Sequence, residues 1–339
     1  MPTAPLELTR DQILAFRRRV GALDERLPRG ARSLRRAAWA GLTDSVPRAA
    51  LLSIHARVEG VRPSTWEDPS LVHVWGPRFS TYLVAARDRG IFTLGRYPDA
   101  AHRRRVADDM AARVQAYLAG RRLPDGLVQR ELGIGNAIKY AATTGTVLIR
   151  WDGARSPTVW TVPAPEIDAR EARRELARRY LHVLGPGTPT GFSAWAGLGG
   201  PAARATFDEL ADSLVEVRTA VGDAWILARD EPGFREPPGP PAAARLLPSG
   251  DTYFLFWGAD RELLIPDPRQ RAELWTSRVW PGAVLVSGEI VGTWRRARAQ
   301  LSVQPWRRLT RAERDAVEAE ARSLPVPGVE GEIAVGWNS

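Results

Sequence analysis

The chain has 339 residues, a net charge of +9, four histidines and no cysteine. That composition excludes disulfides, thiolate metal sites and cysteine nucleophiles, and the length allows more than one buried core. No run of about 18 uncharged apolar residues is there to span a membrane, and residues 1–7 lack the basic-then-apolar pattern of a secretory signal, so a cytoplasmic protein with no membrane contact is expected.

Lys139 is the only lysine, so arginine carries nearly all the positive charge. Its planar fork of donors suits phosphates, and a basic chain of this kind points to nucleic acid. A GC-rich genome explains arginine over lysine but not the positive excess. His55, His73, His102 and His182 form no pair at i, i+3 or i, i+4, so neither a metal nor a cofactor is expected.

Thr9-Arg10-Asp11-Gln12 reads as a capping box, with Leu8 and Ile13 as its hydrophobic staple, and a helix follows to Val20. Arg17, Arg18 and Arg19 on that helix are expected on a solvated face. Arg32 to Ala40 reads as a second helix. Thr43-Asp44-Ser45 then forms a polar elbow, and Pro47 falls at the first turn of a helix ending at Arg57. The elbow has two readings: an N-cap, or polar groups presented into a cleft. Thr65 starts a short helix expected to end near Gly76. Strands are expected at 79–86 and 91–94, joined across Gly90. Helices closed by a hairpin follow the winged-helix order.

The order repeats. Ala100 to Ala119, with Arg103 to Arg105 on it, Asp125 to Leu132 and Gly135 to Thr143 read as helices, and 146–151 and 158–162 as strands around a turn at 152–157. A third copy has a helix from Arg170 to Leu184, a Thr188 cap before Pro189, and a helix opened by Pro201. Its closing hairpin joins 214–218 to 224–228. Five prolines within 232–241 mark a boundary. Beyond it, strands are expected at 252–257, 262–265, 283–287, 289–294 and 299–305. A capping box at Thr310 opens a helix to about Leu324, and the tail from Pro325 is expected to be ordered in part.

The expected class is therefore α+β. Three tandem winged-helix domains span 8–97, 98–165 and 166–231, and a small antiparallel β-barrel domain spans 242–339. That order, together with Gly41-Leu42, Val46-Pro47-Arg48-Ala49-Ala50-Leu51-Leu52-Ser53-Ile54-His55-Ala56-Arg57, Gly185-Pro186-Gly187-Thr188-Pro189, Leu247-Pro248-Ser249-Gly250-Asp251-Thr252-Tyr253 and Val291-Gly292-Thr293-Trp294-Arg295-Arg296, resembles the AlkZ/YcaQ-like winged-helix DNA glycosylases. The resemblance covers roughly Leu8 to Leu324. It implies removal of alkylated or bulky-adduct purines from double-stranded DNA, in repair or in self-resistance to a genotoxin.

The family's characterised enzymes carry a Gln-x-Gln or Gln-x-Asp motif at the elbow; here Thr43 and Ser45 stand in those places, with Asp44 between them. The resemblance makes Thr43, Asp44 and Ser45 the candidate catalytic residues, Asp44 as general base or electrostatic partner and the hydroxyls as holders of water. Candidate DNA contacts are Arg48, His55, Arg57, Asp251, Tyr253, Arg261, Trp294, Arg295 and Arg296. The bland readings are a core histidine for His55, an internal ion pair around Asp251 and Arg261, and a hairpin aromatic for Trp294. Loss of both glutamines supports the alternative of a DNA-binding protein that breaks no bond, such as a regulator or lesion binder.

Overall fold

A computed structural model describes residues 6–151, 156–329 and 331–338. Among these residues there are three three-stranded sheets and one five-stranded sheet. Each small sheet is a hairpin with a short third strand added: Leu71–Trp75 and Thr81–Ala85 with Leu42–Thr43, Val147–Arg150 and Thr158–Thr161 with Leu123–Pro124, and Leu214–Thr219 and Gly222–Leu227 with Leu6–Glu7. No helix among the described residues is long and apolar enough to cross a membrane.

The first hairpin is shifted from its expected place. Strand Leu71–Trp75 pairs antiparallel with Thr81–Ala85, whereas 91–94 lies in helix Arg89–Leu94 and the helical turn after Thr65 ends at Glu67. A four-residue apolar run such as Ile91-Phe92-Thr93-Leu94 carries no periodicity that separates helix from strand. Its packing on helix Ala169–Leu184 decides for helix. The second and third units follow expectation closely, with helices Ala101–Leu118, Asp125–Leu132, Pro189–Ala196 and Gly200–Glu209. Thr188 accepts from the Gly191 N–H at 3.0 Å and so caps its helix. Residues 152–155 of the expected turn lie outside the described residues.

The N-terminal segment joins the third unit rather than staying local. Strand Leu6–Glu7 pairs parallel with Leu214–Thr219, and Ile13 and Phe16 of helix Arg10–Val20 pack with Val217, Ile226 and Phe234. Of Arg17, Arg18 and Arg19 on that helix, the first two are buried, against expectation. Arg17 donates to the carbonyls of Leu184 and Gly185 at 2.7 and 2.9 Å, closing the C-terminus of the 169–184 helix. Arg18 pairs with Asp24 at 2.9 Å. Arg103 to Arg105 are exposed.

The C-terminal part departs most from expectation. Strands were expected at 252–257 and 262–265, but Thr252–Phe254 is a 3₁₀ turn and Asp260–Leu264 and Pro268–Leu274 are helices. A local cap explains the first, since the Asp251 carboxylate accepts from the Tyr253 N–H; helix Asp260–Leu264 has no side-chain cap and is set by the burial of Leu263 and Leu264. The expected barrel is an open sheet in the order Ala244–Leu247, Gly282–Val286, Glu289–Ala297, Gln300–Pro305, Ala334–Trp337. Its first and last strands do not meet. Helix Arg311–Arg322 lays Val317 and Ala321 on Val284, Val286 and Val303, burying a face that closure would otherwise bury. The tail adds its 334–337 strand in parallel to Gln300–Pro305.

Candidate active site

The elbow is a strand followed by a turn. Helix Ala31–Ala37 ends, Gly41 turns the chain at φ +77°, and Leu42–Thr43 joins the first hairpin with Leu42 opposite Leu83 and Thr43 opposite Tyr82. A Cβ at Gly41 would lie 2.8 Å from the Phe92 ring and 2.9 Å from the Tyr82 ring, so only glycine fits this bend. The next helix runs Ala49–Arg57 and starts two residues after Pro47, which therefore lies in the turn and not in the first helical turn as expected. Arg48 holds φ +67° there.

The three polar elbow residues diverge. Thr43 is buried and its Oγ1 donates to the Gly250 carbonyl at 2.7 Å. Asp44 is 2% exposed; Oδ1 accepts from the Ala50 N–H at 3.0 Å, and Oδ2 lies 3.0 Å from His73 Nε2. Asp44 thus caps the helix from six residues upstream. Ser45 alone is exposed. Beside it, the Arg48 guanidinium stacks 3.7 Å from the Trp66 ring centroid, and Arg150 lies 4.6 Å from the same ring.

Behind the elbow lies a junction built by Ser53, Arg57 and residues 250–252. Arg57 makes two hydrogen bonds to Asp251, at 2.7 and 2.6 Å, and a third to the Ser53 carbonyl at 2.9 Å. Ser53 Oγ donates to Asp251 at 2.6 Å, and Thr252 Oγ1 donates to the Gly41 carbonyl at 2.9 Å. Arg57 is 3% exposed and Asp251 fully buried. Their charges are spent on each other; they tie the elbow helix to the C-terminal part.

Other candidate contacts also turn inward. Tyr253 is buried with its hydroxyl unpartnered, and burial pushes that hydroxyl up to about 12. Trp294 is buried in the sheet core, its indole N–H donating to the Leu247 carbonyl at 2.8 Å, so it is no groove probe. Arg261 is half-buried, bonded to the Phe256 carbonyl at 2.7 Å and lying 4.9 Å from the Trp275 ring. Arg295 is exposed and donates to the Val279 carbonyl, while Arg296 is half-buried and donates to that of Arg298. Ser45, Arg48, Arg261, Arg295 and Arg296 are the candidates left with access to solvent.

His55 is a core histidine. It is 6% exposed, with Nε2 at 3.0 Å from Ser323 Oγ and 3.3 Å from Arg26 Nη2. Burial, with Arg26 and Arg245 nearby, lowers its pKa to about 3. An unfolded histidine titrates near 6.5. Between these values the unfolded chain binds the proton and the folded chain does not, so stability falls as pH drops below 6.5. The expected loss from this group is about 2 kcal/mol at pH 5. Denaturant titrations at pH 7 and pH 5 check it: His55→Gln should show a smaller difference between the two than the unaltered chain, and an equal difference refutes the assignment.

His73 and Trp66 were not singled out by the sequence as parts of the elbow. A signal existed for His73: the alternation of strand Leu71–Trp75 puts it on the same face as Leu71 and Trp75, both buried. Among the described residues no three His, Asp or Glu side chains converge as a metal site.

With this geometry in hand, comparison with known proteins is informative. A profile of the family described as DNA glycosylase AlkZ-like matches residues 34–325. The interstrand DNA cross-link repair glycosylase of Streptomyces sahachiroi is 28% identical over 201 residues, which cover 56% of this chain and 53% of that protein, so the match spans about half the relative's length. The solved structure of Streptomyces sahachiroi DNA glycosylase AlkZ superposes with a TM-score of 0.77 at 21% identity, over 98% of this chain and 100% of the other. That likeness establishes a shared mixed α+β fold.

Proposed function

The chain belongs to the AlkZ-like DNA glycosylase family, and from that premise we propose that it binds duplex DNA and hydrolyses the N-glycosidic bond of alkylated or bulky-adduct purines. The family match carries this reading, because it spans residues 34–325, from within the helix before the elbow to just past helix Arg311–Arg322. The three small sheets and their helices are read as three winged-helix units, and the elbow as the reactive centre.

The chemistry asks little of the side chains. An N3- or N7-alkylated purine is cationic and leaves readily, so the site has to place water and tolerate an oxocarbenium-like sugar. Ser45, the exposed hydroxyl of the elbow, is the group proposed to hold that water. Thr43 acts by fixing the elbow to Gly250. Asp44 acts through its hold on the helix start and on His73.

DNA containing N7-methylguanine or a bulky purine adduct, incubated with the protein and assayed for abasic sites, tests the proposal. Ser45→Ala is expected to slow base release by about 10- to 100-fold with duplex affinity unchanged. No release above background across several adducts refutes the enzymatic reading. The second reading, DNA binding without bond cleavage, is favoured by one observation: both Asp44 oxygens already serve Ala50 and His73. It predicts salt-dependent duplex binding, a footprint on a defined sequence or lesion, and no abasic product.

A further inference from the structure

Helix Ala31–Ala37 does not partition as a short surface helix usually does. Leu34 and Ala38 face the core. Arg32, Arg35, Arg36 and Trp39 follow at i, i+3, i+4 and i+7, the spacing of one helical face continued into the next turn. All four line a cavity of about 550 Å³, and the backbone of Gly41 lines it too, so it opens directly beside the elbow.

The charge in this cavity is one-sided. Among the described residues no aspartate or glutamate lines it. Arg57 reaches it but is neutralised by Asp251. Arg87 also lines it and has only a 3.7 Å contact with Asp88. Arg32, Arg35 and Arg36 make no side-chain hydrogen bond or ion pair among the described residues. Arginines elsewhere on the molecule are commonly paired, as Arg10 is with Glu289 and Arg307 with Glu313. Three unpaired guanidinia on one wall present donors in the fork geometry that suits a phosphate.

The same face ends in an aromatic group that is held in place. The Trp39 ring packs edge-on against His182 at 5.0 Å, and the Arg179 guanidinium lies 5.0 Å from it. His182 is anchored in turn, with Nδ1 2.9 Å from both Asp230 oxygens. A fixed indole beside free guanidinia offers a flat surface to a sugar or base next to the charge that binds its phosphate. The same positive field disfavours a cationic alkylated base. The cavity is therefore unlike a pocket for the damaged purine and complementary to an anion.

We propose that this cavity is a phosphate site: Arg32, Arg35 and Arg36 hold one phosphate of a DNA strand passing the elbow, and the adjoining nucleoside lies on Trp39. The assignment to a DNA strand rests on the DNA reading above, whereas the phosphate chemistry does not. The same donors would take a free nucleotide.

The test compares the unaltered protein, the variant R32Q/R35Q/R36Q, and a control, R311Q/R314Q/R322Q, that removes equal charge from the helix on the C-terminal sheet. The arginines changed in the cavity variant are exposed or half-exposed, so the fold is expected to survive, and circular dichroism checks this. Duplex affinity is measured from 50 to 300 mM salt, and binding of 2′-deoxyadenosine 5′-monophosphate is measured by calorimetry. The cavity variant is expected to lower the log–log salt slope by about 1, with the control close to the unaltered protein. An unchanged slope with mononucleotide binding lost only in the cavity variant keeps the phosphate site and assigns it to a free nucleotide. Equal slopes and equal mononucleotide titrations in all three proteins overturn the site. Failure of the unaltered protein to bind duplex at low salt refutes the DNA reading instead, and the mononucleotide arm then decides the cavity alone.

Discussion

Replacing Asp251 by alanine is expected to cost about 3–5 kcal/mol of stability, because it strands a buried guanidinium. Arg57 is 3% exposed and gives two of its three hydrogen bonds to Asp251. No other carboxylate bonds to Arg57 among the described residues. The same substitution removes the acceptor for Ser53 Oγ and for the Tyr253 N–H. Because the pair is 194 residues apart in sequence, its loss also loosens the docking of the C-terminal part on the elbow helix. Urea unfolding followed by tryptophan fluorescence checks the magnitude. The double variant R57M/D251L should lose much less than D251A, since it removes both charges together and leaves neither stranded. A loss below about 1 kcal/mol in D251A, within the range of exposed pairs, would show that Arg57 has access to solvent.

The contrast between Asp251 and the capping boxes shows which parts of the fold were legible in the sequence. Thr9 with Gln12 and Thr310 with Glu313 are local, and both form as read. The helix-cap-helix-hairpin order of 169–227 was readable for the same reason: Thr188, Pro189 and Gly197 punctuate it within a few residues. Where an apolar run was short, tertiary packing decided, as at Ile91 to Leu94. Where an aspartate caps locally, as Asp251 does, the chain leaves the strand that the aromatic residues after it suggest.

The resemblance sets the candidate site at Thr43-Asp44-Ser45, but the orientation of those side chains was not legible. Which of those side chains meets solvent depends on what packs on each face, and the partners, Gly250 and His73, lie 207 and 29 residues away. Arg57, Asp251, His55 and Trp294 look like surface chemistry because charge and aromatic groups are usually exposed or half-exposed. Their burial is compensated by partners that only the fold brings near. The arginine face 32/35/36 was hidden for the opposite reason. Its spacing was present, but its isolation from carboxylates is a property of the assembled cavity.

Asp44→Ala is expected to cost about 2–4 kcal/mol: about 1 for the lost helix cap and about 1–3 for leaving a buried polar group of His73 unpaired. His73 is 4% exposed, so no water replaces the carboxylate. Asp44→Asn retains an amide oxygen for one of the two partners and should cost less than half as much. These two variants also separate the roles of the elbow. If Asp44 acts only by holding the Ala49–Arg57 helix and the first hairpin together, base release per folded molecule stays within about threefold in Asp44→Asn. If its charge supports the oxocarbenium-like sugar, Asp44→Asn loses base release by 10²-fold or more while its unfolding midpoint barely moves. The geometry favours the first outcome. Strand pairing of Leu42–Thr43 fixes the direction of the next residue, the Asp44 N–H is held by the Thr81 carbonyl at 2.8 Å, and the carboxylate meets its two partners inside the protein. A carboxylate so held can supply a field, but it has to break the cap before it can take a proton from water. On that argument the hydroxyl of Ser45, not the charge of Asp44, is the elbow group free to meet a substrate.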